Sequence, residues 1–443
     1  MSGIAQVLLN LGYQVSGSDL KRSAVTRLLQ KRGAKIFFGH ERSHVAGAHV
    51  VVTSSAVNSV NPEVKEAQKE NIPVIARAEM LAELMRMKYS IAIGGTHGKT
   101  TTTSMIGQVL TEAGLDPTLV IGGRVNNLRS NARLGKGEYL VAEADESDRS
   151  FLKLTPTIAV ITNIDLEHME NYRDEKHLRE SFSLFANKVP FYGAVVACQD
   201  HPGVRSILPG IDRRLVTYGL KNKADYMAKG LVQEKTRMKF SVTFRGKEIG
   251  EASISVPGEH QVSNALATIA ACRELDIPFS KIFKGLSRLK GVQRRFEILA
   301  KLPQDIWVVD DYGHHPVEIA ATLEAARKGW PDHRCVVVVQ PHRYSRLQNL
   351  WTDFSKGFQK MDTLVLLPVY AAGEEPIPGI HSAKMFSEIQ KKRKTETTFY
   401  AENELEMKAI LKSQLAPKTL FLFLGAGSIT RYARNFAKGL KHV

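Results

Sequence analysis

The stretch Ile91-Ala-Ile-Gly-Gly-Thr-His-Gly-Lys-Thr-Thr-Thr-Thr103 decides how the rest of the chain is read. Residues 89–93 are an apolar run of buried-strand length. Gly94, Gly95 and Gly98 permit a tight loop, and residues 100–110 put a polar start on an apolar helix face. Strand, glycine loop and helix N-terminus together cradle phosphate, because backbone N–H groups and the positive helix end point at one spot. Lys99 would reach the terminal phosphate oxygens and the Thr100 hydroxyl would sit on Mg²⁺. The common phosphate-loop pattern wants a further glycine where Ile93 stands, so this is a variant. The plain alternative is a glycine turn before an ordinary helix. Gly-Lys-Thr between a strand and a helix favours the cradle.

On the N-terminal side, helix and strand patterns alternate. A helix is predicted over 1–11, a strand from 13 ending in Ser16-Gly-Ser-Asp19, a helix over 23–31, strands over 34–38 and 48–56, and a helix opened by Asn61-Pro62. This is the pattern of a parallel sheet with crossover helices. Such a domain normally begins with a strand and a glycine loop. This chain begins on the helix that would follow them.

On the C-terminal side of the cradle, strands are predicted over 139–144, 157–164 and 194–197. Asp145-Glu-Ser-Asp148 follows the first, and Asp165-Leu-Glu-His168 follows the second. Ligands of open α/β sheets bind at that edge. Glu143 suits a magnesium ligand, since Mg²⁺ takes oxygen donors and keeps several waters. His168 reads as a base or a supporting group. Asp145, Glu146 and Asp148 read as a solvated acidic loop. Residues 238–254 alternate as a small antiparallel piece, and 259–272 form an alanine-rich helix.

From about residue 291 a third α/β alternation starts, with strands over 306–309, 335–339, 363–367, 397–400 and 420–424. Asp310-Asp-Tyr-Gly-His-His-Pro316 follows one strand. A carboxylate there can hold a ribose hydroxyl, and rings can wall a small apolar group. Pro341-His-Arg-Tyr-Ser-Arg346 follows the next, where Arg343 and Arg346 at helical spacing would share one face and grip a carboxylate or phosphate. Two adjacent histidines raise zinc, but no third ligand stands at metal spacing. Gly425-Ala-Gly-Ser428 is a compact strand-to-helix turn, too short for a dinucleotide fingerprint.

The 443 residues suggest two to four domains, and 43% hydrophobic with 24% charged residues describes a globular chain rather than a disordered one. No apolar run is long enough to span a bilayer, and no membrane partner is expected. Cys198, Cys272 and Cys335 are scattered, which argues for a reducing compartment, the cytoplasm. A net charge of +16 allows nucleic acid or small anionic substrates. Without a basic tail or an aromatic-interleaved stripe, no nucleic-acid partner is expected, and Lys391-Lys-Arg-Lys394 reads as a solvated face or a favourable helix end. The oligomeric state is not legible.

At this point the residues resemble the Mur ligase family. Gly95-Thr-His-Gly-Lys-Thr-Thr101 is similar to its ATP loop. Ala142-Glu-Ala-Asp-Glu-Ser-Asp148, Thr162-Asn-Ile-Asp165 with His168, Gly291-Val-Gln-Arg-Arg-Phe-Glu297, the 310–316 motif, Gln340-Pro-His-Arg-Tyr344 and Val369-Tyr-Ala-Ala-Gly-Glu374 resemble the branch that uses L-alanine. The likeness covers almost the whole chain. It implies an α/β protein of three domains. Residues 1–88 would be a Rossmann-like UDP-sugar domain lacking its first strand, 89–290 a central P-loop-type ATPase domain, and 291–443 a Rossmann-like amino-acid domain. It also implies ATP-dependent amide formation in peptidoglycan precursor synthesis, with UDP-N-acetylmuramate and L-alanine as substrates and ATP and Mg²⁺ as cofactors.

Position by position, the resemblance implies that Gly95, Thr96, His97, Gly98, Lys99, Thr100 and Thr101 hold the nucleotide. Thr100 and Glu143 would hold one Mg²⁺, and His168 would serve a second metal. His260 and Asn264 would face adenine, Arg295 the phosphates and Asp311 the ribose. Ser54 and Ser55 would meet the UDP-sugar. Tyr312, His314, Arg343 and Arg346 would line the place where alanine meets the acyl group. There are departures: Gln261 stands where the family usually has Asn, Arg149 replaces a small residue, and Met1-Ser-Gly-Ile-Ala5 matches just after the first glycine loop, so either a start upstream or a truncated form is expected. The alternatives are a sister ligase taking a recycled tripeptide, a basic nucleic-acid-binding NTPase and a non-catalytic relative.

Overall fold

The computed structural model describes residues 1–54, 56–121, 132–358, 361–392 and 397–440. Ser55 and the second half of the basic run 391–394 lie outside the described residues. The chain divides into two compact units, one of Met1–Lys229, Ser241–Ala252 and Ser263–Leu289, the other of Gly230–Phe240, Ser253–Val262 and Lys290–Val443.

In the first unit the opening helix is Ser2–Asn10. Its closing turn takes residues expected in the next strand: Tyr13 N–H donates to Leu8 O at 3.0 Å. The strand is therefore Ser16–Asp19 alone, paired in parallel with Lys35–Phe38. Ser23 caps the helix Ala24–Lys31 in a reciprocal bond with Thr26. The long strand expected over 48–56 is only Val51–Thr53. Its partner Val74–Ala76 has three residues, and a ladder reaches no further than its partner.

A larger sheet carries the cradle. From one edge its strands run Ala132–Arg133, Thr118–Val120, Tyr139–Glu143, Tyr89–Gly94, Ile158–Ile161, Ala194–Cys198 and Leu215–Gly219, and then continue through Tyr226–Glu234, Arg237–Phe244 and Lys247–Ile254. Tyr89–Gly94 lies between Tyr139–Glu143 and Ile158–Ile161, parallel to both, with Ile93 opposite Glu143 and opposite Val160. Parallel register brings three strand C-termini to one edge, so residues 95–100, 144–149 and 162–168 emerge together. The strand is buried on both faces, as central parallel strands are.

The second unit is built on a six-stranded sheet in the order Glu297–Leu302, Ile306–Asp311, Thr419–Leu424, Arg334–Val339, Thr363–Leu366, Thr398–Tyr400. Only the edge strand Glu297–Leu302 is antiparallel. Side chains alternate across it: Val337 and Val339 join one apolar cluster, Val336 and Val338 the other. Both faces are thus covered, and the strand ends deliver 312–316, 340–346 and 425–428 to one edge. Among the described residues no helix is long and apolar enough to cross a membrane.

Candidate active site

The glycine loop is clamped by the strand end beside it. His97 N–H donates to Asn163 Oδ1 at 2.7 Å, and its carbonyl accepts from Thr162 Oγ1 at 2.6 Å and Asn163 Nδ2 at 3.0 Å. Asp165 N–H donates to Thr96 Oγ1 at 2.9 Å. This explains Gly95, which has φ +130° and where a Cβ would stand 2.1 Å from Thr162 Oγ1. Gly98, at φ +86°, caps the helix Lys99–Glu112. Thr101 is 3% exposed in the packed face of that helix. Thr100, half-buried, is the threonine open to a ligand.

Lys99 is folded back onto the loop. Its Nζ donates to Gly95 O at 2.6 Å and Thr96 O at 3.1 Å, and lies 2.9 and 2.7 Å from the two carboxylate oxygens of Glu146. Burial alone would drive the ammonium toward its neutral form. The Glu146 charge, with Asp145 and Glu143 behind it, outweighs this and holds the Lys99 pKa above its ordinary value. The expected solvated loop 145–148 therefore needs correcting. Glu146 is 2% exposed, and only Asp148 stands in the open. Tyr172 OH donates to Glu146 O at 2.6 Å and Asn171 Nδ2 to Ser147 O at 2.7 Å, which fixes the loop backbone.

Of the other acidic groups, Asp145 and Glu143 also act on this lysine. Asp145 is held below its ordinary pKa against the effect of burial, by the Ser147 hydrogen bonds, Lys99 and His168. His168 adopts φ +57° and has a carboxylate on each side, Glu167 at 3.7 Å and Glu170 at 3.7 Å. Asp165 bridges His97 at 3.4 Å and His201 at 3.1 Å. Ser54 follows the strand Val51–Thr53, and its carbonyl accepts from Val57 N–H at 3.0 Å, so it opens a turn.

In the second unit His260 is pressed against Gln261 Nε2 at 2.9 Å. Burial and the Arg295 charge push its pKa down to about 4, so it is neutral at pH 7. Arg295 lies 3.5 Å from Glu318 and 5.0 Å from the centre of the Tyr312 ring, with Arg294 at 4.6 Å from the same ring. Asp311 turns inward: it accepts from Phe296 N–H and Gly313 N–H, each at 2.7 Å, and from Thr322 Oγ1 at 3.4 Å. A carboxylate accepts about four hydrogen bonds, so capacity for one more donor remains.

Arg343 and Arg346 do not share a helix face. Arg343 has φ +67° and precedes the helix Tyr344–Asn349; its Nη1 points to Glu374 Oε1 at 3.9 Å. Arg346 donates to His342 Nδ1 at 3.2 Å. That nitrogen must be unprotonated to accept. Accordingly burial, His314 and the two arginines lower the His342 pKa to about 4. The His342 ring stacks on Tyr370 at 5.6 Å and meets His314 edge-on at 5.7 Å, while His314 meets Tyr312 at 5.0 Å. Tyr312, His314, His342 and Tyr370 thus form a continuous aromatic wall edged by guanidinium groups, suited to a small molecule carrying an apolar group and a carboxylate. Glu374 orders the neighbouring loop by accepting from Ser345 N–H at 3.0 Å and Oγ at 2.6 Å. Sequence reasoning gave no role to Glu146, His342 or Tyr370. Their signals were their positions past strand ends and their places in the family-like motifs 142–148, 340–344 and 369–374.

Three family descriptions match the chain: "Mur ligase family, catalytic domain" over residues 1–89, "Mur ligase middle domain" over 93–272, and "Mur ligase, glutamate ligase domain" over 294–427. The chain is similar to the UDP-N-acetylmuramate–L-alanine ligase of Geotalea uraniireducens, 51% identical over 100% of this chain and 96% of that protein. It is also similar to the ligase of the same name from Geobacter sulfurreducens, 51% identical over 100% of this chain and 95% of that protein. Among solved structures, the UDP-N-acetylmuramate-alanine ligase of Thermotoga maritima superposes with a TM-score of 0.82 at 30% identity, covering 100% of this chain and 96% of that one. A murein peptide ligase from Psychrobacter arcticus shares the fold, with a TM-score of 0.67 at 22% identity over 100% of this chain and 97% of that one.

Proposed function

The chain belongs to the Mur ligase family, and from that premise we propose that it joins the amine of L-alanine to the lactyl carboxylate of UDP-N-acetylmuramate. ATP is consumed, and the carboxylate passes through an acyl phosphate. The observation that carries the choice of amine is 51% identity along the whole chain to ligases named for L-alanine.

A carboxylate is a poor electrophile until one oxygen becomes a leaving group, which transfer of the γ-phosphoryl group accomplishes. The protein's part is to position and to neutralise charge. Residues 95–98 wrap the phosphates, and Lys99 places an ammonium against their charge. Bound Mg²⁺ would neutralise phosphate oxygens. Half-buried Thr100 supplies a hydroxyl at the helix start, and half-buried Glu143 supplies a carboxylate at the end of the strand paired with Tyr89–Gly94. That pair fits an ion that takes one or two protein oxygens and keeps its waters. We assign Thr100 and Glu143 to it and His168 to a second ion.

His260, Asn264, Arg295 and Asp311 keep their expected nucleotide roles in this proposal, and Ser54 its place in the UDP-sugar domain over 1–88. Arg343 and Arg346 take the carboxylate of alanine beside the Tyr312, His314 and His342 rings, within 291–443. The deciding experiment offers the purified chain ATP, UDP-N-acetylmuramate and a panel of amines, with ADP release as the readout. L-alanine is expected to drive release. A tripeptide that outcompetes it would replace this reading with the sister activity.

A further inference from the structure

We propose that Glu146 is a resident counter-anion of the cradle, which binds Lys99 when no nucleotide is present and must be displaced by an incoming phosphate. The inference rests on the assignment of Lys99 to phosphate made above.

An ammonium has three N–H donors. Those of Lys99 are spent on Gly95 O at 2.6 Å, Thr96 O at 3.1 Å and the Glu146 carboxylate at 2.7 Å. A phosphate oxygen therefore has to replace one of these partners. The two carbonyls belong to a loop that Thr162 and Asn163 clamp at 2.6 to 3.0 Å through His97. They cannot leave without undoing the cradle. Glu146 comes from a separate loop and meets Lys99 through its side chain, so it is the partner that can be exchanged without moving the glycine loop. Its backbone stays in place, because Tyr172 OH holds the Glu146 carbonyl at 2.6 Å and Asn171 holds the Ser147 carbonyl at 2.7 Å.

The arrangement has two consequences. The pair occupies the Lys99 donors and keeps the cradle closed to weakly bound anions. With nucleotide, the displaced carboxylate faces a polyphosphate of like charge, which weakens binding and speeds departure of ADP. Glu146 is thus a positioning residue acting through Lys99, and it sets nucleotide affinity rather than the chemical step. A merely structural pair would make the opposite prediction for a neutral replacement, since loss of the charge would then loosen the cradle.

The test is equilibrium titration of the full chain with ATP and with ADP, each with Mg²⁺, for the wild type, Glu146→Gln, Lys99→Met and the double variant. Glutamine keeps the shape and removes the charge. Glu146→Gln is expected to bind both nucleotides about tenfold more tightly and to release ADP more slowly. That gain should vanish in the Lys99→Met background. Weaker or unchanged binding in Glu146→Gln, alongside weakened binding in Lys99→Met, would overturn the counter-anion and leave the lysine assignment standing. Unchanged binding in Lys99→Met would sink the assignment beneath it. Thermal melting of each variant separates these outcomes from a failure to fold.

Discussion

Gly98 and Asn264 meet so closely that a Cβ built on the glycine would stand 2.6 Å from Asn264 Oδ1. The glycine loop is thereby seated on the helix Glu259–Arg273, in which Asn264 is 8% exposed. The same glycine has φ +86°, which disfavours any L side chain. Gly98→Ala is expected to weaken ATP binding by an order of magnitude or more and to cost roughly 1–3 kcal/mol of stability. Adding Asn264→Ala relieves the collision but not the backbone strain, so it should restore stability only in part. Denaturant melts and nucleotide titrations on both variants check this.

Lys99→Ala is expected to abolish turnover. It also strands a buried carboxylate, and removing one partner of a buried pair costs about 3–5 kcal/mol. Lys99→Met combined with Glu146→Gln should recover most of that stability while remaining inactive. ADP-release rates beside urea melts distinguish lost chemistry from lost fold.

Arg343 is held at 3.9 Å from Glu374 and is 42% exposed along its side chain, so it can turn to a ligand without breaking the core. Arg343→Ala should raise KM for L-alanine about tenfold or more, because a charge-assisted contact to a carboxylate is lost, and leave KM for ATP near its original value. Initial rates with each substrate varied in turn give the answer.

Asp310 is fully buried. Burial pushes its pKa up to about 7 from 3.8, with Asp311 adding to the rise and Arg294 opposing it. Since the folded value lies above the unfolded one, the folded state binds more protons between these limits. Its contribution to stability is complete below about pH 4 and is lost as pH rises through about 7. Asp310→Asn should remove that downward slope. His260 and His342, both lowered to about 4 from 6.5, act in the opposite sense and favour the fold above about pH 6.5. Melts across pH 4 to 8 for wild type and Asp310→Asn isolate the aspartate.

The strands with long apolar runs, such as Tyr89–Gly94 and Arg334–Val339, were legible because burial on both faces demands such runs. Leu215–Gly219 and Glu297–Leu302 were not, since each mixes polar and apolar residues and owes its conformation to neighbouring strands. Glu146 illustrates the same limit within the site. In sequence it is one acid among several. Its burial arises only when parallel register sets the loop after Tyr139–Glu143 beside Lys99. Thr162 and Asn163 likewise carried a motif, but their grip on His97 needed the strand pairing to become visible. The arginine pair at helical spacing misled, because Arg343 takes φ +67° and lies outside the helix.

The central claim is that the lactyl carboxylate gives an oxygen to phosphate before the amine attacks. UDP-N-acetylmuramate carrying ¹⁸O in that carboxylate, incubated with the chain, ATP and L-alanine, tests it directly. The expected result is one labelled oxygen in the inorganic phosphate for each amide formed. Amide formed with no label in the phosphate would contradict the account.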